Sequence, residues 1–153
     1  MKSSLIPEGF RKLPIPDAFV ELIGPLWCKA EGDRLRVGLP LEARYGNPMG
    51  WAHGGLLLTV ADMVMGAGSG FATGIRWPHP TVSLSTEFVR GARLGHWLEG
   101  SARVARRTLN FCFCSCDLVC DGEIVLVASG VFKVPDIDKI PEAARATVMG
   151  KWE

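Results

Sequence analysis

The sequence predicts an α+β domain in which an antiparallel sheet of five to six strands wraps around one long, very apolar helix. Three observations carry this expectation. The run GLLLTVADMVMGAGSGFATGI, residues 55–75, is long and almost wholly apolar or small. Two strand-like runs precede it and four follow it, with connections short enough to make antiparallel neighbours. A single apolar helix among so many strands buries its surface best when the sheet curls around it.

The elements follow in order. The opening MKSSLIPEGFRKLPIP has no continuous apolar core and contains three prolines, which makes it a poor signal peptide. Residues 1–24 read as an N-terminal extension, with a short helix over Asp17 to Ile23 stopped by Gly24-Pro25. LWCKAEGDRLRVGLP reads as two strands around Glu31-Gly32-Asp33, because Leu35, Val37 and Leu39 alternate with Arg36 and Gly38. Pro40 to Met49 is loop. The long helix then runs from about His53 to about Ala72, and Pro78 and Pro80 bound the loop after it. TVSLSTEFVR, HWLEGSARVARR, LNFCFCSCDLVC and EIVLVASGVFKV are strand-like, and Asp121-Gly122 between the last two is a hairpin signal. The tail 135–153 holds at most a brief helix. There is no repeat or long linker, so residues 1–153 form a single domain.

Composition restricts the setting. The chain has 153 residues, enough for one sizeable core. Seventeen basic residues against sixteen acidic ones leave a net charge of +1, so the totals carry no nucleic-acid footprint. Four of the five cysteines (Cys112, Cys114, Cys116 and Cys120) crowd one segment, which is not a disulfide framework and points to a reduced, cytoplasmic protein. The helix is about long enough to span a bilayer. Its central Asp62 would cost roughly 2.5–3.5 kcal/mol there, and four glycines add little apolar surface, so a core helix is expected rather than a membrane span.

Asp62 is the residue that composition does not explain. On a helix it shares a face with Gly55, Thr59, Gly66, Ser69 and Thr73, a stripe of small or polar side chains opposite Leu57, Val60, Ala61, Val64 and Phe71. No basic residue stands at positions 58, 59, 65 or 66 to pair with it. A buried carboxylate without a partner is costly, which makes Asp62 a functional candidate beside a structural one. The stripe needs close packing or a cavity. The segment before it adds donors. Gly50, Gly54 and Gly55 permit close backbone approach, and the free N–H groups at the helix start suit a developing oxyanion. The Asn47 side chain could donate to the same oxygen. A carbonyl clamp plus a carboxylate are the parts of an acyl-transfer site.

The pattern Asn47-x5-His53-Gly54-Gly55-x6-Asp62, followed by TVSLSTEFVRGARLG and SGVFKV, resembles the hotdog-fold acyl-CoA thioesterases, most closely their phenylacetate-pathway, PaaI-like group. The resemblance covers roughly residues 25–134. It implies a sheet wrapped on the helix and a homodimer or homotetramer whose active sites are shared between subunits. It further implies that the Gly54 N–H and Asn47 polarise the thioester carbonyl, and that Asp62 of the facing subunit is nucleophile or general base. Thr81, or Ser83 as second choice, would supply a hydroxyl that orients water. Arg106 and Arg107 either hold the CoA phosphates or are an ordinary solvated strand end. Gly55 is a substrate contact. Coenzyme A belongs to the substrate, and no cofactor or metal is implied. The CFCSC strand and Gly91-Ala92, in place of a proline-containing turn, depart from the family pattern.

The remaining residues have plainer expectations. Cys112, Cys114 and Cys116 alternate about 7 Å apart on one strand face, too far for adjacent members to share one metal at about 2.3 Å per thiolate, so they are core. His53 is either a ligand contact or a helix-start side chain. His79 and His96 fall in loops and are expected to be solvated. Met49 and Trp51 either line the acyl site or pack in the core or an interface. Two further functions fit the same fold: hydration or dehydration of an acyl thioester, with His53 and Asp62 as the pair, and non-catalytic acyl-CoA binding.

Overall fold

The computed structural model describes residues 5–149; residues 1–4 and 150–153, the outer ends of the two extensions, lie outside it. β1 (Arg11–Lys12) leads to α1 (Ala18–Ile23), whose start is capped by the Asp17 carboxylate accepting from the Phe19 and Val20 N–H groups. β2 (Trp27–Glu31) and β3 (Arg34–Pro40) form the expected hairpin, and α2 (Gly54–Ala72) is the long helix. β4 (Thr81–Phe88), β5 (Trp97–Ser101), β6 (Arg103–Arg107), β7 (Phe111–Cys120) and β8 (Glu123–Lys133) follow, and α3 (Glu142–Met149) ends the described chain.

All strand pairings are antiparallel, in the order β1-β2-β3-β5-β7-β8-β4, with β6 also on β7. The sheet therefore has eight strands rather than five or six. One reason is that HWLEGSARVARR does not run straight: it breaks at buried Ala102 into β5 and β6, which pair with opposite ends of β7. The other is the two-residue edge β1. At the β7–β8 turn Asp121 and Gly122 have φ of 56° and 76°, the backbone that an Asp-Gly hairpin requires.

α2 lies across one face of the sheet and touches β3 to β8. Leu57, Val60, Ala61, Val64 and Met65 pack with Val37, Leu39, Leu98, Leu118, Leu126 and Phe132. Although α2 is long and apolar enough to cross a membrane by composition, 67% of its most apolar 18-residue stretch is buried within this fold. The cysteines on β7 point inward with the expected alternation, and all five thiols are free and buried. Burial raises the Cys114 and Cys116 pKa values to about 12, so both remain protonated. No cluster of metal-ligating side chains occurs among the described residues.

Candidate active site

The start of α2 is fixed by a short knot of backbone. Gly46 and Ala52 bridge, the Asn47 N–H donates to the Trp51 carbonyl at 2.7 Å, and the His53 N–H donates to Tyr45 at 2.7 Å. Asn47 Oδ1 accepts from the Met49 and Trp51 N–H groups at 2.9 and 3.1 Å. With its carbonyl committed inward, the side chain has its Nδ2 amide left as donor.

His53 is the N-cap of α2, its Nδ1 accepting from the Gly55 N–H at 2.9 Å. This uses the Gly55 donor and leaves the Gly54 N–H as the unpaired donor of the first turn among the described residues. The Gly54 Cα faces the Phe88 ring, and a Cβ there would lie 3.3 Å from it. Beside this start, Phe19, Ile23, Tyr45, His53, Gly55, Leu56 and Thr59 line an open cleft of about 340 Å³.

Two turns further along, Asp62 is half-buried rather than buried, and it does have a partner: Thr81 Oγ1 donates to its Oδ1 at 2.5 Å. Ser83 does not share that face. A β-bulge at Val82 sets Thr81 opposite Phe132, on the helix side, but Ser83 opposite Val131, on the outer side. There Ser83 lines a shallow groove with Ser85, Phe113, Ser115 and Ser129. The extra residue reverses the two-residue alternation on which its candidacy rested.

His79 also departs from expectation. It is 2% exposed, not solvated, and its Nδ1 lies 3.1 Å from Ser69 Oγ. Burial, with a smaller contribution from Arg107, lowers its pKa to about 4, so the ring is neutral. His96 is partly exposed beside Asp121, at 3.6 Å. The small-residue stripe is likewise only partly open. Gly66, Ser69 and Gly70 are covered by residues 77–79 of the same chain, whereas Gly55, Thr59 and Asp62 remain accessible. Arg106 and Arg107 are exposed at the end of β6, with no ion pair among the described residues. Met49 and Trp51 are exposed, as are Val82, Phe88 and Val89 on and beyond the edge strand β4.

An antiparallel sheet curled on one long helix, with this knot at the helix start, is the hotdog architecture. The sequence matches the thioesterase superfamily over residues 49–127. The chain belongs to that superfamily, a hydrolase of the PaaI-like hotdog type. It is 37% identical over 131 residues to a Pseudomonas aeruginosa protein provisionally named an esterase, covering 85% of this chain and 98% of that one. Among solved structures it resembles a phenylacetic acid degradation-related protein of Ralstonia eutropha, at 26% identity and a TM-score of 0.66, covering 79% of this chain and 92% of the other. The fold of the E. coli PaaI protein is similar too, with 19% identity, a TM-score of 0.66, and 77% and 88% of the two chains covered.

Proposed function

We propose that the protein hydrolyses acyl-CoA thioesters to the free acid and CoA, in a site completed by two copies of the chain. The observation that carries this reading is the pairing of a Thr81-held carboxylate with a separate, unpaired donor pair at the start of the same helix. The Gly54 N–H and Asn47 Nδ2 would hold the thioester oxygen as it gains charge. Thr81 occupies Oδ1 of Asp62, which leaves Oδ2 to take a proton from water or to attack the carbonyl carbon itself. In either route the tetrahedral intermediate collapses, the C–S bond breaks, and the CoA thiolate takes up a proton. Water attack gives the acid at once, whereas attack by Oδ2 leaves an acyl–Asp62 anhydride that a water molecule then hydrolyses to the acid and the free carboxylate.

Helix geometry supports a shared site. Gly54 and Asp62 stand eight residues apart, about 12 Å along the axis. A carbonyl held at one and attacked from the other allows only about 3 Å on each side. Asp62 of one copy facing Gly54 of another meets the requirement, and a two-fold pairing creates two such sites. The unpaired edge of β4, with exposed Val82, Phe88 and Val89, offers the apolar surface for that pairing. The exposed Arg106 and Arg107 suit the CoA phosphates. Five free thiols suit a reducing cytoplasm. His53 is engaged in capping the helix, which weighs against its acting as the acid–base group of a hydratase.

A panel of aromatic and straight-chain acyl-CoA esters, followed by free-thiol release, tests the reading. Thiol release from at least one ester, at a rate that saturates with substrate, is expected. An absorbance change on enoyl-CoA without thiol release would replace hydrolysis by hydration. Binding without either signal would make the protein a non-catalytic acyl-CoA binder.

A further inference from the structure

The segment between α2 and β4 reverses direction through Gly74 and Arg76, with φ of 78° and 59°, and then descends along the helix it has just left. It is tied at each step. The Arg76 N–H donates to the Gly70 carbonyl at 3.0 Å, and the His79 N–H donates to the Gly66 carbonyl at 3.0 Å. Thr81 Oγ1 then donates to Asp62. Positions 70, 66 and 62 are one turn apart on a single helix face, so the three bonds form a ladder that ends on the carboxylate.

His79 is the one buried side chain between Ala72 and Pro80. A neutral ring carrying its proton on Nδ1 donates to Ser69 Oγ at 3.1 Å, and the Ser69 hydroxyl donates onward to the Gly66 carbonyl at 3.3 Å. Nε2, which has no partner among the described residues, then carries only a lone pair rather than an orphaned N–H. The same Gly66 carbonyl thus receives the backbone N–H of His79 and, through Ser69, its side chain. Immediately beyond, the Pro80 carbonyl accepts from the Lys133 N–H at 2.7 Å and enters the sheet. Only one residue, Pro80, separates the buried ring from Thr81 and its hydroxyl.

We propose that His79, locked onto Ser69, is a positioning residue for the reaction: it sets the height and rotation at which the chain delivers the Thr81 hydroxyl to Asp62. This rests on the reading of Asp62 and Thr81 as reaction machinery. The ring touches neither substrate nor reacting atoms, so its influence passes entirely through Thr81.

Ser69→Ala, which removes the ring's partner from a helix that tolerates Ala, and His79→Leu, which keeps bulk without the bond, are compared in wild-type and Thr81→Val backgrounds. In the wild-type background either should lower kcat by about 10- to 100-fold with KM little changed, the scale expected when a reacting group is displaced by a fraction of an ångström. In the Thr81→Val background either should cost almost nothing more, because coupled residues are not additive. His79→Asn, whose amide can reach Ser69 as Nδ1 does, should recover most of the loss, and His79→Gln should not. Unchanged kcat in Ser69→Ala, or losses that simply add to that of Thr81→Val, would overturn the positioning role. Full activity in Thr81→Val itself would instead overturn the underlying reading of the site.

Discussion

Gly70→Ala is a substitution that an isolated helix would welcome and this protein should not. Replacing a mid-helix glycine by alanine ordinarily gains about 1 kcal/mol. Here the new Cβ would lie 2.1 Å from the Trp77 carbonyl oxygen and 2.9 Å from its carbon, both main-chain atoms of the descending segment. Ordinary contact requires that segment to retreat by more than an ångström. Such overpacking costs about 1–3 kcal/mol, and the retreat also breaks the Arg76 N–H bond to Gly70, for about 1 kcal/mol more. The net expectation is a loss of about 1–3 kcal/mol after the propensity gain is subtracted. Gly66→Ala is the internal comparison. Its Cβ would meet the His79 carbonyl at 3.2 Å, a few tenths of an ångström too close, so its cost should nearly cancel its gain. Urea unfolding of both variants checks the difference through their midpoints. A Gly70→Ala midpoint at or above wild type, or the two variants behaving alike, would show that the segment does not press on the helix as described.

Asp62→Asn keeps the acceptor for Thr81 but removes the charge, so kcat should fall by about 10²–10⁴ while the urea midpoint is unchanged or slightly higher; an unfolded variant whose surviving fraction is fully active would make Asp62 structural. Asn47→Ala should reduce turnover less, since the Gly54 N–H still holds the oxygen. His79 is neutral in the fold down to pH about 4, whereas in the unfolded chain it takes up a proton near pH 6.5. The stability it contributes is therefore complete above pH 6.5 and is lost as pH falls towards 4, by on the order of 3 kcal/mol. Urea midpoints of His79→Asn should fall less steeply than those of wild type across that window, and parallel curves would count against the buried neutral ring. Cys114→Ala or Cys114→Val should leave turnover largely intact and chelators should do nothing, with stoichiometric zinc in metal analysis as the contrary result.

The sequence made regular features legible wherever one local rule decided them. Period-two alternation sent Cys112, Cys114 and Cys116 inward, Asp-Gly marked the β7–β8 turn, and the apolar run gave α2 to within a residue. What it hid depended on a single inserted residue or on distant packing. Val82 at the bulge turned Ser83 outward, although Thr81 and Ser83 read as one face. The two prolines that announced a loop after α2 gave no sign that it folds back along the helix, so His79 read as solvated and the small-residue stripe did not reveal what covers Gly66 and Gly70. A His between prolines, following a helix rich in Gly that carries Ser69, was the available signal. The partner of Asp62 was missed for a related reason: a search at helical spacing looks only along α2, and Thr81 arrives from another element.

The descending segment also constrains how the chain can vary. Each of its bonds meets the helix one turn below the last, so the segment is measured against a fixed ruler. One residue added or removed between Gly74 and Pro80 would carry a neighbour of Thr81 to the carboxylate or swing the hydroxyl to the far side of the sheet. Residues here can be exchanged where they neither bury a ring nor abut a glycine, but they cannot be recounted. Loops are usually where a fold absorbs insertions, and in this protein that freedom should belong to the hairpin tips instead.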